Sequence, residues 1–257
     1  MAEAQDLAAS TLWANWPAPA GVQALTTTRR GGFSSGGYAS LNLATHCGDD
    51  PAAVQANREI LRHALQLPSA PCWMEQVHGC DVMHPTRADS EMKGCGEAAD
   101  AAWTDQPGIV CAVLTADCLP VVLADRAATV VAVAHAGWRG LAAGVLEATL
   151  DELPVAPAEL MAWLGPCIGV RAFEVGAEVR EAFCAHDTEA LAAFAPAARP
   201  GHWMADLPCL ARQRLLRAGV GNIHGGEYCT FSQPEQFFSY RRDGQTGRMA
   251  TLAWLQP

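Results

Sequence analysis

The sequence predicts an α+β fold, a single-domain sandwich of mixed β-sheets flanked by helices. Three observations carry this. Short apolar or alternating runs with β-branched residues crowd the middle of the chain at 72–83, 109–115, 120–124 and 129–134. Capped amphipathic segments lie on both sides of them, and strands and helices do not follow the strict β-α-β rhythm of a doubly wound sheet. No repeat, low-complexity linker or charge block marks a boundary, so 21–257 reads as one domain after a loose N-terminal tail at 1–20.

In chain order, residues 22–28 read as a strand that runs into the loop Arg29-Arg30-Gly31-Gly32-Phe33-Ser34-Ser35-Gly36-Gly37, where Gly and Ser favour irregular backbone. Asp50 is placed to cap a helix with Pro51 in its first turn; Val54, Leu61 and Leu65 recur at near-helical spacing until Pro68. After the strand-rich centre, a helix is expected over 141–153 with Leu146, Leu150 and Leu153 on one face. A strand at 159–164 and a helix over 178–184 follow. Asp206 caps a further helix carrying Leu207, Ala211 and Leu215 and ending at Gly219, and the last strand is expected at 248–255.

Composition excludes several classes. The chain has 257 residues, 50% of them hydrophobic and 17% charged, with 27 acidic against 17 basic side chains and a formal charge of −10. Area scaling removes about 70% of the unfolded surface from water at this size, enough for a core without staples. The most apolar stretch, 109–134, is cut by Asp117, Pro120, Asp125 and Arg126, so it is no membrane span. The first twenty residues lack the basic and continuous apolar regions of a secretory signal, and a cytoplasmic location is expected. In that reducing compartment most of the ten cysteines are expected as buried free thiols, and without any CxxC they build neither a zinc ribbon nor a thioredoxin-type motif. The acidic balance disfavours nucleic acid as a partner. Lys93 is the only lysine, which a composition bias explains.

Strand geometry brings chemistry together. If the runs at 109–115, 120–124 and 129–134 go up, down and up in one sheet, Cys118 and His135 share a rim despite 17 positions between them. His135 opens the strand-to-helix turn Ala136-Gly137-Trp138-Arg139-Gly140. In Glu75-Gln76-Val77-His78-Gly79, two-residue alternation puts Gln76 and His78 on one strand face. A His, Cys, His set suits Zn²⁺ and leaves the fourth tetrahedral position for water or substrate. Spacing alone leaves the alternative open, because with eight His and ten Cys a packed thiol or a hydrogen-bonded imidazole is the commoner case.

Several blocks add a resemblance. They are Thr27-Thr28-Arg29 with Gly31-Gly32, Ser40-Leu41-Asn42-Leu43, Gly48-Asp49-Asp50-Pro51, Gln76-Val77-His78-Gly79 and Leu114-Thr115-Ala116-Asp117-Cys118-Leu119-Pro120. They continue with His135-Ala136-Gly137-Trp138-Arg139-Gly140, Leu164-Gly165-Pro166, Phe173-Glu174-Val175-Gly176 and Phe238-Ser239-Tyr240-Arg241-Arg242-Asp243. With these the chain resembles the laccase-domain family, also called multicopper polyphenol oxidase-like or YfiH-type, over nearly all of its length. The resemblance implies a core similar to that of toxin deamidases and zinc held by His78, Cys118 and His135. It also implies phosphorolysis of adenosine, inosine or methylthioadenosine to free base and (methylthio)ribose 1-phosphate, together with deamination of adenosine to inosine. The older family name implies copper, an alternative occupant in vitro, but one His, Cys, His set does not resemble a multicopper cluster, so polyphenol oxidation is the minor reading.

For that chemistry Cys118, His135, His78 and Asp117 are the catalytic candidates, with Asp117 as general acid or base or as an orienting group. Arg29, Arg139, Arg241 and the loop 31–37 are candidate phosphate holders; Arg139 could instead pair with Asp117, and Arg241 or Arg242 could be solvated charge. Asn42 and Gln76 suit a purine edge or a ribose hydroxyl, or else buried backbone groups. Phe33, Tyr38 and Tyr228 could stack on the base, with core packing the favoured alternative. The expected partners are small-molecule purine nucleosides and phosphate, with no nucleic acid and no membrane; the oligomeric state is not legible. Two rivals are a metal-free cysteine hydrolase with Cys118 as nucleophile and His135 as base, including an amide-cleaving editor of a peptidoglycan precursor, and a non-catalytic module with a structural metal. The segment 87–97 carries no readable function.

Overall fold

The computed structural model describes residues 2–87, 96–185 and 187–257, so Lys93, Cys95 and most of the segment 87–97 lie outside the described residues. The stretch expected as a loose tail is helix α1 (Ala2–Ser10) followed by strand β1 (Leu12–Trp13). Leu7 anchors it, 1% exposed and packed with Leu25, Leu41 and Leu43, while β1 pairs antiparallel with β2 (Val22–Thr26). Helix α2 (Pro51–Ala64) starts as expected, the Asp50 carboxylate accepting the Ala52 N–H at 3.0 Å.

The run at 72–83, expected as strand, holds two short strands, β3 (Cys72–Trp73) and β4 (Val82–Met83), with residues 75–79 looping between them. Then come β5 (Ala101–Thr104), β6 (Cys111–Thr115), β7 (Leu119–Asp125) and β8 (Val131–Ala136). The helix expected over 141–153 is two, α3 (Trp138–Ala143) and α4 (Val145–Glu152), because Gly144 takes φ 108°, a left-handed conformation that ends one helix and redirects the chain. The remaining elements are β9 (Leu160–Leu164), β10 (Glu174–Val175), α5 (Ala177–Cys184), β11 (Phe194–Pro196), β12 (Trp203–Ala205), α6 (Leu207–Arg217), β13 (Asn222–Gly225), α7 (Tyr240–Asp243) and β14 (Met249–Leu255). Asp206 caps α6 by accepting the Cys209 N–H at 2.9 Å.

Among the described residues the strands form three sheets. The first runs β1-β2-β14-β6-β3, antiparallel except for β3 beside β6. The second runs β13-β9-β7-β8-β5-β4, with parallel pairs at both edges and antiparallel pairs between. The third is the small antiparallel sheet β10-β12-β11. The expected up-down-up run is therefore split: β6 belongs to the first sheet, and the chain crosses at residues 116–118 to reach β7 in the second.

Two-residue alternation sets the layers. In β6, Cys111 and Val113 face the second sheet while Ala112 and Leu114 pack on the side of α1 and α2. In β7, Val122 and Ala124 face the first sheet while Leu119, Val121 and Leu123 pack on the side that holds α3 to α6. Both central strands are buried on both faces, which explains why they read as continuous apolar runs rather than alternating ones. The result is helices, sheet, sheet, helices: the expected α+β class with mixed sheets and flanking helices.

Candidate metal centre

Register alone brings two of the candidate ligands together. Pro120 pairs with His135 and Leu119 with Ala136, so Cys118, at the entry to β7, lies beside the end of β8. His78 arrives on the loop between β3 and β4. The ligand atoms of His78, Cys118 and His135 all lie within 4.8 Å of one another, and the two imidazoles meet edge-on with centroids 4.8 Å apart. Cys118 Sγ is 4.0 Å from His78 Nε2.

One residue that sequence reasoning missed organises this cluster. Asp100, fully buried, accepts His135 Nδ1–H at 2.8 Å and the backbone N–H groups of Val77, His78 and Gly79 at 3.1, 3.0 and 2.6 Å. A carboxylate only accepts, so Nδ1 of His135 carries the proton and Nε2 is left with its lone pair for an ion. The same carboxylate holds the loop in which His78 takes φ 62°, a left-handed conformation that costs a non-glycine residue about 1–2 kcal/mol. Although burial works against its charge, the bonds from His135 and Gly79 keep its pKa below the usual carboxylate value. The available signal was a lone acid in Ala98-Ala99-Asp100-Ala101-Ala102, since a charge among small apolar residues needs donors once buried.

Electrostatics match. Burial alone would raise the Cys118 thiol, but His135 and His78 outweigh it and bring it down to about 6. Burial alone would lower His135, but Cys118 and Asp100 lift it to about 9, so without an ion it is an imidazolium beside the thiol, and a bound ion would take the place of the Nε2 proton while Asp100 keeps the one on Nδ1. The thiol is thus disposed to be a thiolate, the form that binds metal or attacks carbon. The motif glycines make room: a Cβ on Gly137 would lie 2.8 Å from Cys118 Sγ and 3.2 Å from His78 Cδ2, and one on Gly140 would lie 2.9 Å from the Gly79 carbonyl. One thiolate and two imidazoles fit Zn²⁺ by donor chemistry.

The cluster lines a cavity of about 240 Å³ together with His46, Gln76, Leu114, Thr115, Ala116, Tyr240 and Arg248. Of the substrate contacts expected from sequence, Gln76 is there, but its amide is spent on β6: Oε1 accepts the Leu114 N–H at 2.7 Å and Nε2 donates to the Leu114 carbonyl at 2.9 Å. Asp117 accepts from Thr230 Oγ1, Ser239 Oγ and the Arg241 N–H at 2.5, 3.0 and 2.7 Å, bracing the turn before Cys118, and Arg139 is not among its partners. Asn42 is fully buried and serves Ala44, Asp49 and the Arg248 N–H. Arg29 donates to the Ala39 and Pro234 carbonyls, Arg241 to the Glu174 carbonyl, and Arg139 lies over Trp138; none of these three lines the cavity. Phe33, Tyr38 and Tyr228 are also elsewhere, and the aromatic ring at the cavity is Tyr240.

Fold and site together define a layered mixed-sheet protein with a thiolate-and-imidazole, metal-competent centre opening into a cavity. A family model described as multi-copper polyphenol oxidoreductase laccase matches residues 23–256. The purine nucleoside phosphorylase YfiH of Escherichia coli is 55% identical over 240 residues, 93% of this chain and 96% of that protein. A Pseudomonas aeruginosa protein, also named purine nucleoside phosphorylase, is 54% identical over 244 residues, 94% and 97% of the two chains. Among solved structures, Neisseria meningitidis protein NMB0706, of family DUF152, superposes with TM-score 0.90 at 50% identity, covering 96% of this chain and 100% of that one. YlmD from Geobacillus stearothermophilus gives 0.84 at 33% identity, covering 95% and 96%. The chain belongs to the laccase-domain family, also called YfiH or DUF152. Among the described residues one group of three ligands meets, against the several coppers in the family description.

Proposed function

We propose that this chain is a zinc-dependent purine nucleoside phosphorylase that also deaminates adenosine, taking adenosine, inosine or methylthioadenosine as substrate. The observation that carries the reading is the His78, Cys118 and His135 cluster opening into a cavity, in a chain whose relatives bear the phosphorylase name. In phosphorolysis a phosphate oxygen bonds to C1′ of the ribose as the C1′–N9 bond breaks, and the purine leaves with the electron pair and takes up a proton. His78, Cys118 and His135 would hold the ion. When bound, it supplies a Lewis acid against developing negative charge. Asp100 fixes the His135 tautomer and the His78 loop, so the donors are in place before any ligand arrives. Gln76 pins that loop to β6 and so keeps His78 in register with Thr115 and Cys118.

The test is incubation of purified protein with adenosine and inosine, with and without phosphate, following base, ribose 1-phosphate and ammonia. Base and ribose 1-phosphate formed only with phosphate, and ammonia from adenosine without it, are expected; neither product from either nucleoside would end the proposal. No helix among the described residues is long and apolar enough to cross a membrane, in keeping with small diffusible substrates.

A second reading has a specific observation behind it. His135 stands between the Cys118 thiol and the Asp100 carboxylate, the order of a cysteine-hydrolase triad, which would cleave an amide without metal. His78→Ala separates the two: it removes a metal ligand and abolishes the proposed nucleoside reactions, whereas a metal-free hydrolase keeps its nucleophile and base.

A further inference from the structure

The cavity that holds the cluster has a second polar wall. Thr115 is 1% exposed and lines the cavity, yet its Oγ1 has no hydrogen-bond partner among the described residues. A buried hydroxyl left without a partner is uncommon, and a ligand atom or an ordered water completes the bonding of such a group. Arg248 also lines the cavity and has no carboxylate within ion-pair distance among the described residues.

Arg248 is nonetheless fixed. Its Nη1 donates to the Thr246 and Gly247 carbonyls at 2.8 and 3.0 Å, its backbone N–H donates to Asn42 Oδ1 at 2.9 Å, and its guanidinium carbon lies 5.9 Å from the Tyr240 ring centroid. Those bonds use Nη1 and leave Nε and Nη2, the edge that grips two oxygens of a tetrahedral anion at once. His46, also at the wall, has its pKa lowered by burial first and then by Arg248 and Arg58, so it offers a neutral imidazole that can donate or accept. The cation is held and unneutralised, in the same cavity wall as an orphaned hydroxyl.

We propose that Arg248 and Thr115 form the oxyanion subsite of the cavity, with inorganic phosphate as its ligand, beside the cluster that would hold the metal. The assignment rests on the phosphorylase reading for the identity of the anion. It replaces Arg29, Arg139 and Arg241, whose guanidinium groups do not line the cavity.

The test uses the intact zinc-loaded protein and inorganic phosphate as probe, read by calorimetry and separately by the KM values for phosphate and nucleoside. Arg248→Gln is expected to weaken phosphate binding by roughly tenfold or more, with a matching rise in the phosphate KM and less than about threefold change in the nucleoside KM. Arg248→Lys should recover part of the loss, since it restores the charge without the fork. Thr115→Val removes only the orphaned hydroxyl, so it should weaken phosphate binding severalfold while the melting temperature stays at or above that of the parent, which a merely structural threonine would not allow. Unchanged phosphate affinity in both Arg248→Gln and Thr115→Val would overturn the subsite. If the parent binds phosphate through Arg248 but releases no base, the subsite stands and the phosphorylase reading falls; if it releases base with a phosphate KM indifferent to Arg248→Gln, the reverse holds.

Discussion

Replacing Asp100 by Asn changes no volume and removes one charge, yet it should be among the most damaging single substitutions in the chain. Oδ1 serves His135 Nδ1 and the His78 N–H, while Oδ2 serves the Val77 and Gly79 N–H groups. An amide has a single carbonyl oxygen, so one of these pairs must face an NH₂ group. If the NH₂ takes the Oδ2 position, two backbone donors of the His78 loop lose their acceptor. If it takes the Oδ1 position, it donates to His135 Nδ1 and drives the proton to Nε2, the atom that must be free for an ion. The first outcome loses two charge-assisted bonds and the second loses one and inverts the other, at about 1.5–3 kcal/mol per bond lost, so roughly 2–6 kcal/mol in all. At about 2–4 °C per kcal/mol for a chain of this size, the melting temperature should fall on the order of 10 °C. Loss of the group that orients His135 should weaken zinc binding about 10–100-fold. Chelator competition gives the affinity and calorimetric scanning the melting temperature. Zinc affinity within about threefold of the parent, with an unshifted melting temperature, would refute the role assigned to Asp100.

Other substitutions probe separate parts of the argument. Gly137→Ala should cost on the order of 10²-fold in nucleoside turnover by pushing Cys118 and His78 apart, with a melting temperature within about 3 °C of the parent because φ −61° suits alanine; activity near the parent's would show that the cluster tolerates the methyl. Stripping zinc with a chelator should remove about 2.7 kcal/mol when free zinc had stood at 100 times its dissociation constant, seen as a melting shift of roughly 5–10 °C. No shift would mean that the folded chain does not bind the ion. Asp125, 3% exposed at the β7–β8 turn, accepts from Ala127, Thr129 and Val130, and these bonds overcome burial to lower its pKa. Its stabilisation is therefore present above the unfolded value near 3.9 and lost as pH falls through the lower folded value. Asp125→Ala should cost about 2–3 kcal/mol at pH 7, and the gap in melting temperature should narrow below about pH 4; a gap that stays constant in acid would contradict the linkage.

What was legible in the sequence was local or followed from register. The Asp50 and Asp206 caps, the α+β class and the meeting of Cys118 with His135 all follow from nearest-neighbour chemistry or from one antiparallel pair. What was not legible depended on partners distant in sequence. Gln76 and His78 do reach one cavity, but through a loop gathered by Asp100 rather than by strand alternation. Arg248 differs from Arg29, Arg139 and Arg241 only in which groups surround it, and no spacing rule separates four arginines. The tail was read as loose because Leu7 finds its neighbours some twenty and more residues away.

Two of the three donors ride on bridges between the sheets. His78 lies on the link from β3 in the first sheet to β4 in the second, and Cys118 on the link from β6 to β7, while His135 sits within the second sheet itself. Sliding one sheet over the other would drag a pair of donors away from their fixed companion at once. The affinity of an ion held there would thus gauge sandwich alignment, and shaving the layer around Val113, Val122 and Val133 should be felt at the cluster before the protein as a whole lets go.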